Sequence, residues 1–145
     1  MILIDTNLLL YAHVSVYAEH RKAKGWFLEQ LGGATPVGLP WQCLLGFVRL
    51  LSNPKIYSHA TPIPEAWRQV REWLTIDNVW IPQPTERHVD ILGELLPLVG
   101  RNFNLVSDAH LAAIAIEHGL TLCSADTDFA RFPKLRWINP LAPGA

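Results

Sequence analysis

Cysteine and charge are both scarce in this chain. Cys43 and Cys123 are the only two cysteines among 145 residues, and both lie in apolar segments. This excludes a disulfide framework and indicates two reduced, buried thiols of the kind found in cytoplasmic proteins. Charged residues make up 17% of the chain, and the formal net charge is −1. The sequence therefore lacks a broad surface of one sign, but this composition is compatible with a small charged site.

Long hydrophobic runs are absent as well. No apolar stretch reaches the length of a transmembrane helix. The apolar start at Met1–Ile4 has no basic residues before it and is interrupted by Asp5, so it does not predict a signal peptide. We therefore expect a cytoplasmic protein without a membrane partner. Half of the residues are hydrophobic, which is enough to bury the core of a single domain over residues 1–145.

The chain opens with a short apolar run that ends in polar residues. Ile2-Leu3-Ile4 has the length and composition of a central strand in a parallel sheet. Asp5 follows directly, at the carboxyl end of the predicted strand, where α/β proteins place their sites. A buried aspartate there needs a partner, and a cation is the usual one. The alternative is that Asp5 or Asn7 only caps the next helix.

Segments of helical and strand-like hydrophobic pattern alternate along the rest of the chain. Predicted helices cover residues 15–31, 41–51, 61–74, 85–98 and 108–118, and predicted strands cover 2–4, 37–40, 78–82, 120–124 and 136–138. Thr85 and Ser107 have the residue type and position of helix N-caps. This alternation predicts an α/β fold, with a mostly parallel sheet covered by helices on both faces.

Three further aspartates lie in similar local settings. Asp126 and Asp128 follow the apolar strand at 120–123, and Asp108 opens the helix before that strand. If this strand pairs with the first one, Asp5 and Asp126 emerge at the same sheet edge, which Asp108 also reaches. Such a cluster suits Mg²⁺ or Mn²⁺, which prefer carboxylate oxygens, much better than zinc. The alternatives are a first-turn helix aspartate at 108 and Asx turns at 126 or 128.

Together these motifs resemble the PIN-domain ribonucleases, and in particular the VapC-type toxins of bacterial toxin–antitoxin pairs. The resemblance covers nearly the whole chain in order. The matching segments are Ile2–Asn7, Phe47–Arg49, Ser52–Pro54, Asp108–Ala113 and Leu122–Phe129.

The resemblance implies a site and a fold. The fold would be a three-layer α/β/α PIN-like fold. The metal-binding aspartates of the family correspond to Asp5, Asp108 and Asp126. Asp128 matches a second aspartate of the same turn and completes the expected catalytic set, while Thr6 and Asn7 would support the site by hydrogen bonding.

The resemblance also implies an activity and partners. Members of the family hydrolyse RNA phosphodiester bonds by in-line attack of a water activated by Mg²⁺ or Mn²⁺. Many are homodimers, and a small VapB-like antitoxin, often encoded beside the toxin, holds them inactive. We therefore expect this chain to be a metal-dependent endoribonuclease toxin with an RNA substrate.

One position departs from the family. A glutamate usually precedes the aromatic residue that corresponds to Phe47, and here that position is Gly46. No Asp or Glu occurs between Glu29 and Glu65, so a small alignment shift does not supply one. Gln42, one helical turn earlier, or extra water would have to replace it, and we expect weaker metal binding. Gly46 therefore favours an alternative, a degenerate PIN domain that binds RNA or a protein without cutting.

Other functional interpretations rest on fewer residues. A phosphotransfer enzyme with Asp5 as nucleophile generally has a second aspartate two residues on, where this chain has Asn7. The candidates for contacts with substrate phosphates are Arg49, Arg101 and Arg131, each of which has the alternative of being a surface or ion-pair arginine.

Two remaining residue sets favour structural roles. We expect His110 and His118 to be capping or surface residues and not metal ligands. The six tryptophans are spread over helices and strands, which favours core packing over base stacking.

Overall fold

Five short strands form one sheet in the computed structural model, which describes residues 1–144. Ala145, the last residue of the predicted domain, lies outside the described residues. The strands are β1 (Ile2–Ile4), β2 (Val37–Gly38), β3 (Val79–Trp80), β4 (Thr121–Cys123) and β5 (Trp137–Ile138). Their order is β3-β2-β1-β4-β5, and all four pairings are parallel.

Helices connect these strands. They are α1 (Thr6–His13), α2 (His20–Gly32), α3 (Trp41–Leu51), α4 (Ile63–Leu74), α5 (His88–Leu95) and α6 (Val106–Glu117). Short 3₁₀ segments cover Leu96–Val99, Phe103–Leu105 and Thr127–Arg131. Among residues 1–144, no helix combines the length and the apolar character that crossing a bilayer requires.

The order of the strands places the helices in two layers. The chain runs from β1 to β3 in one direction and then crosses back to β4 and β5 on the other side of β1. Because parallel crossovers are right-handed, this reversal puts α1–α4 on one face of the sheet and α5–α6 on the other. Neighbouring helices accordingly pack as α1 with α2, α3 with α4, and α5 with α6. The predicted three-layer α/β/α fold is confirmed.

Several predicted boundaries were wrong. A helix begins at Thr6 that was not predicted, and α2 begins at His20 instead of residue 15. Thr85 lies two residues before Arg87, the N-cap residue of α5. Its hydroxyl accepts from the N–H of Arg87 (3.1 Å), and its backbone N–H and hydroxyl both donate to the buried carboxylate of Glu117, at 2.7 Å each. Ser107 lies inside α6, which already begins at Val106.

The sheet register brings two strand ends together. β1 and β4 are neighbours, with Ile4 opposite Cys123. Connections leave this pair in opposite directions, β1 towards β2 and β4 towards β5. A crevice forms at such a switch point in open α/β sheets, beyond the carboxyl ends of the strands. The residues that follow Ile4 and Cys123 therefore face this crevice.

Candidate active site

Asp5 is held in place by hydrogen bonds at the end of β1. Its backbone N–H donates to the carbonyl of Cys123 across the sheet (3.0 Å), which extends the ladder by one residue. Its Oδ1 accepts from the N–H of Thr6 (2.8 Å), and its Oδ2 accepts from the hydroxyl of Ser124 (2.8 Å). Asp5 is the N-cap residue of α1, so the capping alternative describes one of its roles. The same bonds fix its carboxylate at the switch point.

Ser124 is the centre of this network, and the sequence analysis did not select it. The residue is fully buried. Its hydroxyl donates to Asp5 and accepts from the side-chain amide of Asn7 and from the backbone N–H of Asp126, both at 3.0 Å. Ser124 thus joins the two strand ends. The available signal was its position directly after a buried strand and two residues before Asp126.

Thr6 and Asn7, the two predicted supporting residues, both form side-chain hydrogen bonds next to Asp5. Asn7 accepts at Oδ1 from the N–H of Ala125 (3.3 Å), in addition to its bond with Ser124. The Thr6 hydroxyl donates to the carbonyl of Cys43 in α3 (3.0 Å). These bonds connect the first turn of α1 to α3 and to the segment after β4, and they fix the turn next to Asp5. We call Asp5, Asn7 and Ser124 the hub.

Three carboxylates lie close together above the hub. Asp108, Asp126 and Asp128 each offer an oxygen within 4.8 Å of the others, and we call them the trio. The Asp126 carboxylate accepts from the N–H of Asp128 (2.9 Å), so an Asx-type turn also exists here. The trio differs from the expected metal set by including Asp128 and by leaving Asp5 outside this distance. Asp5 lies behind the trio, within electrostatic reach of Asp108 and Asp126.

Burial, and then mutual repulsion, raise the pKa values of Asp108 and Asp5. Burial, and then the negative charges of Asp126, Asp5 and Asp128, raise the pKa of Asp108 to about 6, against a smaller opposing effect of Arg131. Burial also raises the pKa of Asp5, although the bonds from Ser124 and Thr6 oppose the shift.

This environment suits a divalent cation. Concentrated negative charge disfavours ionised carboxylates in the absence of a cation. Oxygen ligands at this spacing suit Mg²⁺ or Mn²⁺. The residues present therefore fit such an ion.

Gly46 marks the missing glutamate, and Thr6 occupies the space beside it. A Cβ built on Gly46 would lie 2.8 Å from Oγ1 and 3.3 Å from Cγ2 of Thr6. Real Cβ atoms essentially never approach another atom as closely as 2.8 Å. The Thr6 hydroxyl is also bonded to Cys43, in the same helix as Gly46. Any side chain at position 46 must therefore displace the side chain of Thr6, the residue that follows Asp5.

Gln42 has a different role from the one considered for it. Its Nε2 donates to the carbonyl of Ser107 (3.1 Å), at the start of α6 and next to Asp108. Its Oε1 is buried and has no hydrogen-bond partner within the described part of the chain. Gln42 therefore ties α3 to α6 instead of supplying an oxygen to the trio.

The three candidate arginines differ in their surroundings. Arg131 lies beside the trio, with its guanidinium 3.7 Å from Oδ1 of Asp128 and its Nε donating to the Asp128 carbonyl (3.2 Å). Arg49 and Arg101 are exposed. Within residues 1–144, neither forms an ion pair or a side-chain hydrogen bond. Arg49 borders a groove of about 670 Å³ that also includes Gln42 and Gly46.

The histidines lie outside the trio. His118 is the C-cap residue of α6, as expected, but the expectation of a capping or surface role needs correction for His110. His110 is partly buried, and its Nδ1 lies 2.9 Å from Nε2 of His88. His88 in turn bonds the buried carboxylate of Glu117. His118 bonds the carbonyl of Gln83 (2.7 Å). His110 therefore belongs to a network between α5 and α6.

Comparisons with known proteins agree on one family. A PIN domain match covers residues 2–135. The chain is 42% identical to Ribonuclease VapC37 of Mycobacterium tuberculosis, over 98% of this chain and 99% of that protein. It is 40% identical to Ribonuclease VapC33 of the same species, over 97% and 99% of the two chains.

Solved structures share the fold. The structure of FitAB bound to an IR36 DNA fragment matches with a TM-score of 0.68 and 19% identity, over 98% of this chain and 96% of that one. VapBC2 from Rickettsia felis, bound to a DNA fragment from its promoter, matches with a TM-score of 0.65 and 19% identity, over 96% and 98%. From the match at residues 2–135 and the near full-length likeness to VapC proteins, the chain belongs to the PIN-domain family and to its VapC branch.

Proposed function

We propose that the protein is a metal-dependent endoribonuclease that acts in the cytoplasm as the toxin of a toxin–antitoxin pair. The observation that carries the proposal is the trio, which lies at the switch point of a PIN fold with Asp5 behind it. The relatives named as VapC ribonucleases support RNA as the substrate.

In this proposal the trio binds the metal ion and the hub positions Asp5. Asp108, Asp126 and Asp128 would hold Mg²⁺ or Mn²⁺, which when bound activates a water and neutralises charge at the scissile phosphate. Asp5 contributes fixed negative charge behind them, in a position set by Ser124. Arg131, which forms a long ion pair with Asp128, would exchange that ion pair for a contact with a substrate phosphate.

Partners follow from the same family likeness. Solved structures of VapBC and of another toxin–antitoxin complex share this fold, which supports a VapB-like antitoxin as the partner. A homodimer is supported by exposed apolar side chains on and after α5, namely Val89, Leu96, Leu98 and Phe103.

The alternatives are weaker on this geometry. A degenerate domain that binds without cutting is favoured only by Gly46, and the trio assembles without a side chain at that position. Nucleophilic attack by Asp5 is disfavoured because both of its oxygens accept hydrogen bonds inside the hub.

The test is cleavage of RNA by the purified protein. We expect cleavage of a structured RNA with Mg²⁺ or Mn²⁺ and none with EDTA. Asp108→Ala should lower the rate by on the order of 10³-fold, because charge stabilisation by the metal contributes several kcal/mol. It should also abolish toxicity on expression, and we expect the same of Asp5→Ala.

The matched control is Asp90→Ala, since Asp90 is an exposed aspartate in the first turn of α5. This variant should cleave like the parent. Full activity and toxicity of Asp108→Ala and Asp5→Ala would contradict the proposal.

A further inference from the structure

Two of the six tryptophans are exposed and stacked on each other. Trp41 in α3 and Trp67 in α4 keep 36% and 39% of their surface exposed. Their ring centroids are 6.2 Å apart and their planes differ by 18°. The expectation that the tryptophans serve core packing was therefore wrong for this pair. The bases of single-stranded nucleic acids stack on exposed aromatic side chains of this kind.

An apolar strip extends this pair towards the candidate active site. Leu45 and Ile63 are 56% and 62% exposed, and both line the groove that includes Gln42 and Gly46. We call Trp41, Leu45, Ile63 and Trp67 the tryptophan platform.

Two residues that line this groove contact chain neighbours of the site aspartates. Gln42 donates a hydrogen bond to the carbonyl of Ser107, the residue before Asp108. Gly46 lies against Thr6, which follows Asp5 in the chain. A strand of RNA whose phosphodiester lies at the trio can therefore continue over the platform.

Arginines flank the platform on both sides. Arg49 lines the groove, while Arg68 and Arg71 line a second cavity of about 360 Å³ beside Trp67. In the described residues, none of the three forms an ion pair or a side-chain hydrogen bond, although Glu65 and Glu72 lie on the same helix as Arg68 and Arg71. Three uncommitted guanidinium groups around exposed aromatic rings complement a chain of phosphates and bases.

We propose that the tryptophan platform binds unpaired bases of the substrate RNA next to the bond that is cut, and that Arg49, Arg68 and Arg71 contact its phosphates. This inference rests on the proposed function, because it takes RNA as the substrate. It goes further by naming a single-stranded segment as the recognised form, since bases inside a duplex cannot stack on a protein side chain.

Binding can be measured apart from cleavage. We would titrate a fluorescein-labelled single-stranded RNA with the metal-free full chain in EDTA and follow the anisotropy. Trp67→Ala should weaken binding about tenfold, because stacking on an aromatic side chain typically contributes ~1–3 kcal/mol per base. Trp67→Phe keeps a stacking ring and should recover most of the affinity. Leu28→Ala removes an exposed apolar side chain on α2 (56% exposed) and should bind like the parent.

The phosphate contacts have their own signature. In Arg68→Ala/Arg71→Ala, the slope of log K against log salt concentration should fall by about 1.4, because each contact with single-stranded RNA contributes roughly 0.7. Arg21→Ala, an exposed arginine on α2, should leave the slope unchanged. An unchanged slope in the double variant would overturn the arginine contacts.

The outcomes separate this proposal from the proposed function. If the parent protein never cleaves RNA but Trp67→Ala loses RNA affinity, the nuclease fails and the platform stands. If the parent cleaves, Trp67→Ala should raise KM and leave kcat unchanged. If Trp67→Ala binds RNA like the parent, the platform proposal is overturned, and a simultaneous loss of affinity for the antitoxin would assign this face to protein docking.

Discussion

Asp5 and Asp108 lie at the same edge of the sheet, but their surroundings differ. The Asp5 carboxylate accepts hydrogen bonds from the N–H of Thr6 and the hydroxyl of Ser124. Within residues 1–144, no donor reaches the carboxylate of Asp108. Its pKa is raised to about 6 by burial and by three neighbouring carboxylates. The described residues therefore supply hydrogen-bond donors to the carboxylate of Asp5 but none to the carboxylate of Asp108.

This difference shows how the fold fixes the position of Asp5 and also provides carboxylates with affinity for a cation. The hub is saturated with internal hydrogen bonds, so its geometry does not depend on a bound ion. The trio is held together against its own repulsion by the backbone that carries it, and a divalent cation removes that repulsion. The hub therefore contributes position and stability, while the trio lowers stability until a cation binds.

Opposite effects on stability are the most direct test of this comparison. Ser124→Ala should lower the free energy of unfolding of the metal-free protein by about 3 kcal/mol, because the buried Asp5 carboxylate and the Asn7 amide each lose a hydrogen-bond partner. Asp108→Asn should raise it, because it removes one of the repelling charges. Urea unfolding in EDTA measures both.

Ser107→Ala is the matched control for the serine. Ser107 is exposed, and its hydroxyl makes only a long 3.5 Å contact with the carbonyl of Asn104. We expect a change of under about 0.5 kcal/mol. A loss of stability in Asp108→Asn as large as in Ser124→Ala would show that the trio is also a structural element, and the division between the two groups would fail.

Gly46 tests whether the hub depends on close packing. Gly46→Ala places a methyl group against Thr6 and should cost about 1–2 kcal/mol of stability, as overpacking usually does. Gly25→Ala and Gly93→Ala are matched helical controls with nothing within 4 Å of the new Cβ. These two should gain about 0.5–1 kcal/mol, because alanine favours the helix.

A second substitution separates the packing from the chemistry of the site. In Thr6→Ala/Gly46→Ala, most of the loss at position 46 should disappear, since the clashing Oγ1 is gone. For the same reason, Gly46→Glu alone is expected to bind Mn²⁺ no better than the parent in calorimetric titration. Thr6→Ala/Gly46→Glu should bind it more tightly. Additive effects of the two substitutions would rule out the contact as the cause.

Local patterns were sufficient to predict the fold and to select the four aspartates, but not to predict that Asp128 and not Asp5 completes the close group. Strand-end positions of Asp5 and Asp126 follow from short apolar runs, and a parallel sheet brings such ends together. Ser124 was not predicted, because a serine after a strand is common and only the pairing of β1 with β4 places it between Asp5 and Asn7. The role of Asp128 in the trio depends on the turn that Asp126 closes.

The remaining misses share a physical cause. Thr85 has a strong local signal for an N-cap and does accept from the N–H of Arg87, but α5 begins only at His88, and the buried carboxylate of Glu117 also accepts from the hydroxyl and the N–H of Thr85. Trp41 and Trp67 have apolar patterns typical of core positions, and only the packing of α3 against α4 shows that their rings remain exposed. In each case, a contact between residues distant in sequence decides the outcome.

Acidity gives the smallest expected effect and sharpens the comparison further. In the metal-free protein, the pKa of Asp108 is raised from 3.8 to about 6, so the folded state holds this proton more tightly than the unfolded state. The stability that the folded state gains by protonation of Asp108 is therefore fully present below about pH 4 and lost as the pH rises through 6.

Cation binding needs the ionised carboxylate of Asp108, so Mn²⁺ should raise the Tm by a few degrees more at about pH 7.5 than at about pH 5. Scanning calorimetry with and without Mn²⁺ measures this difference, which should shrink in Asp108→Asn. An equal rise in Tm at both pH values would place the bound cation away from Asp108.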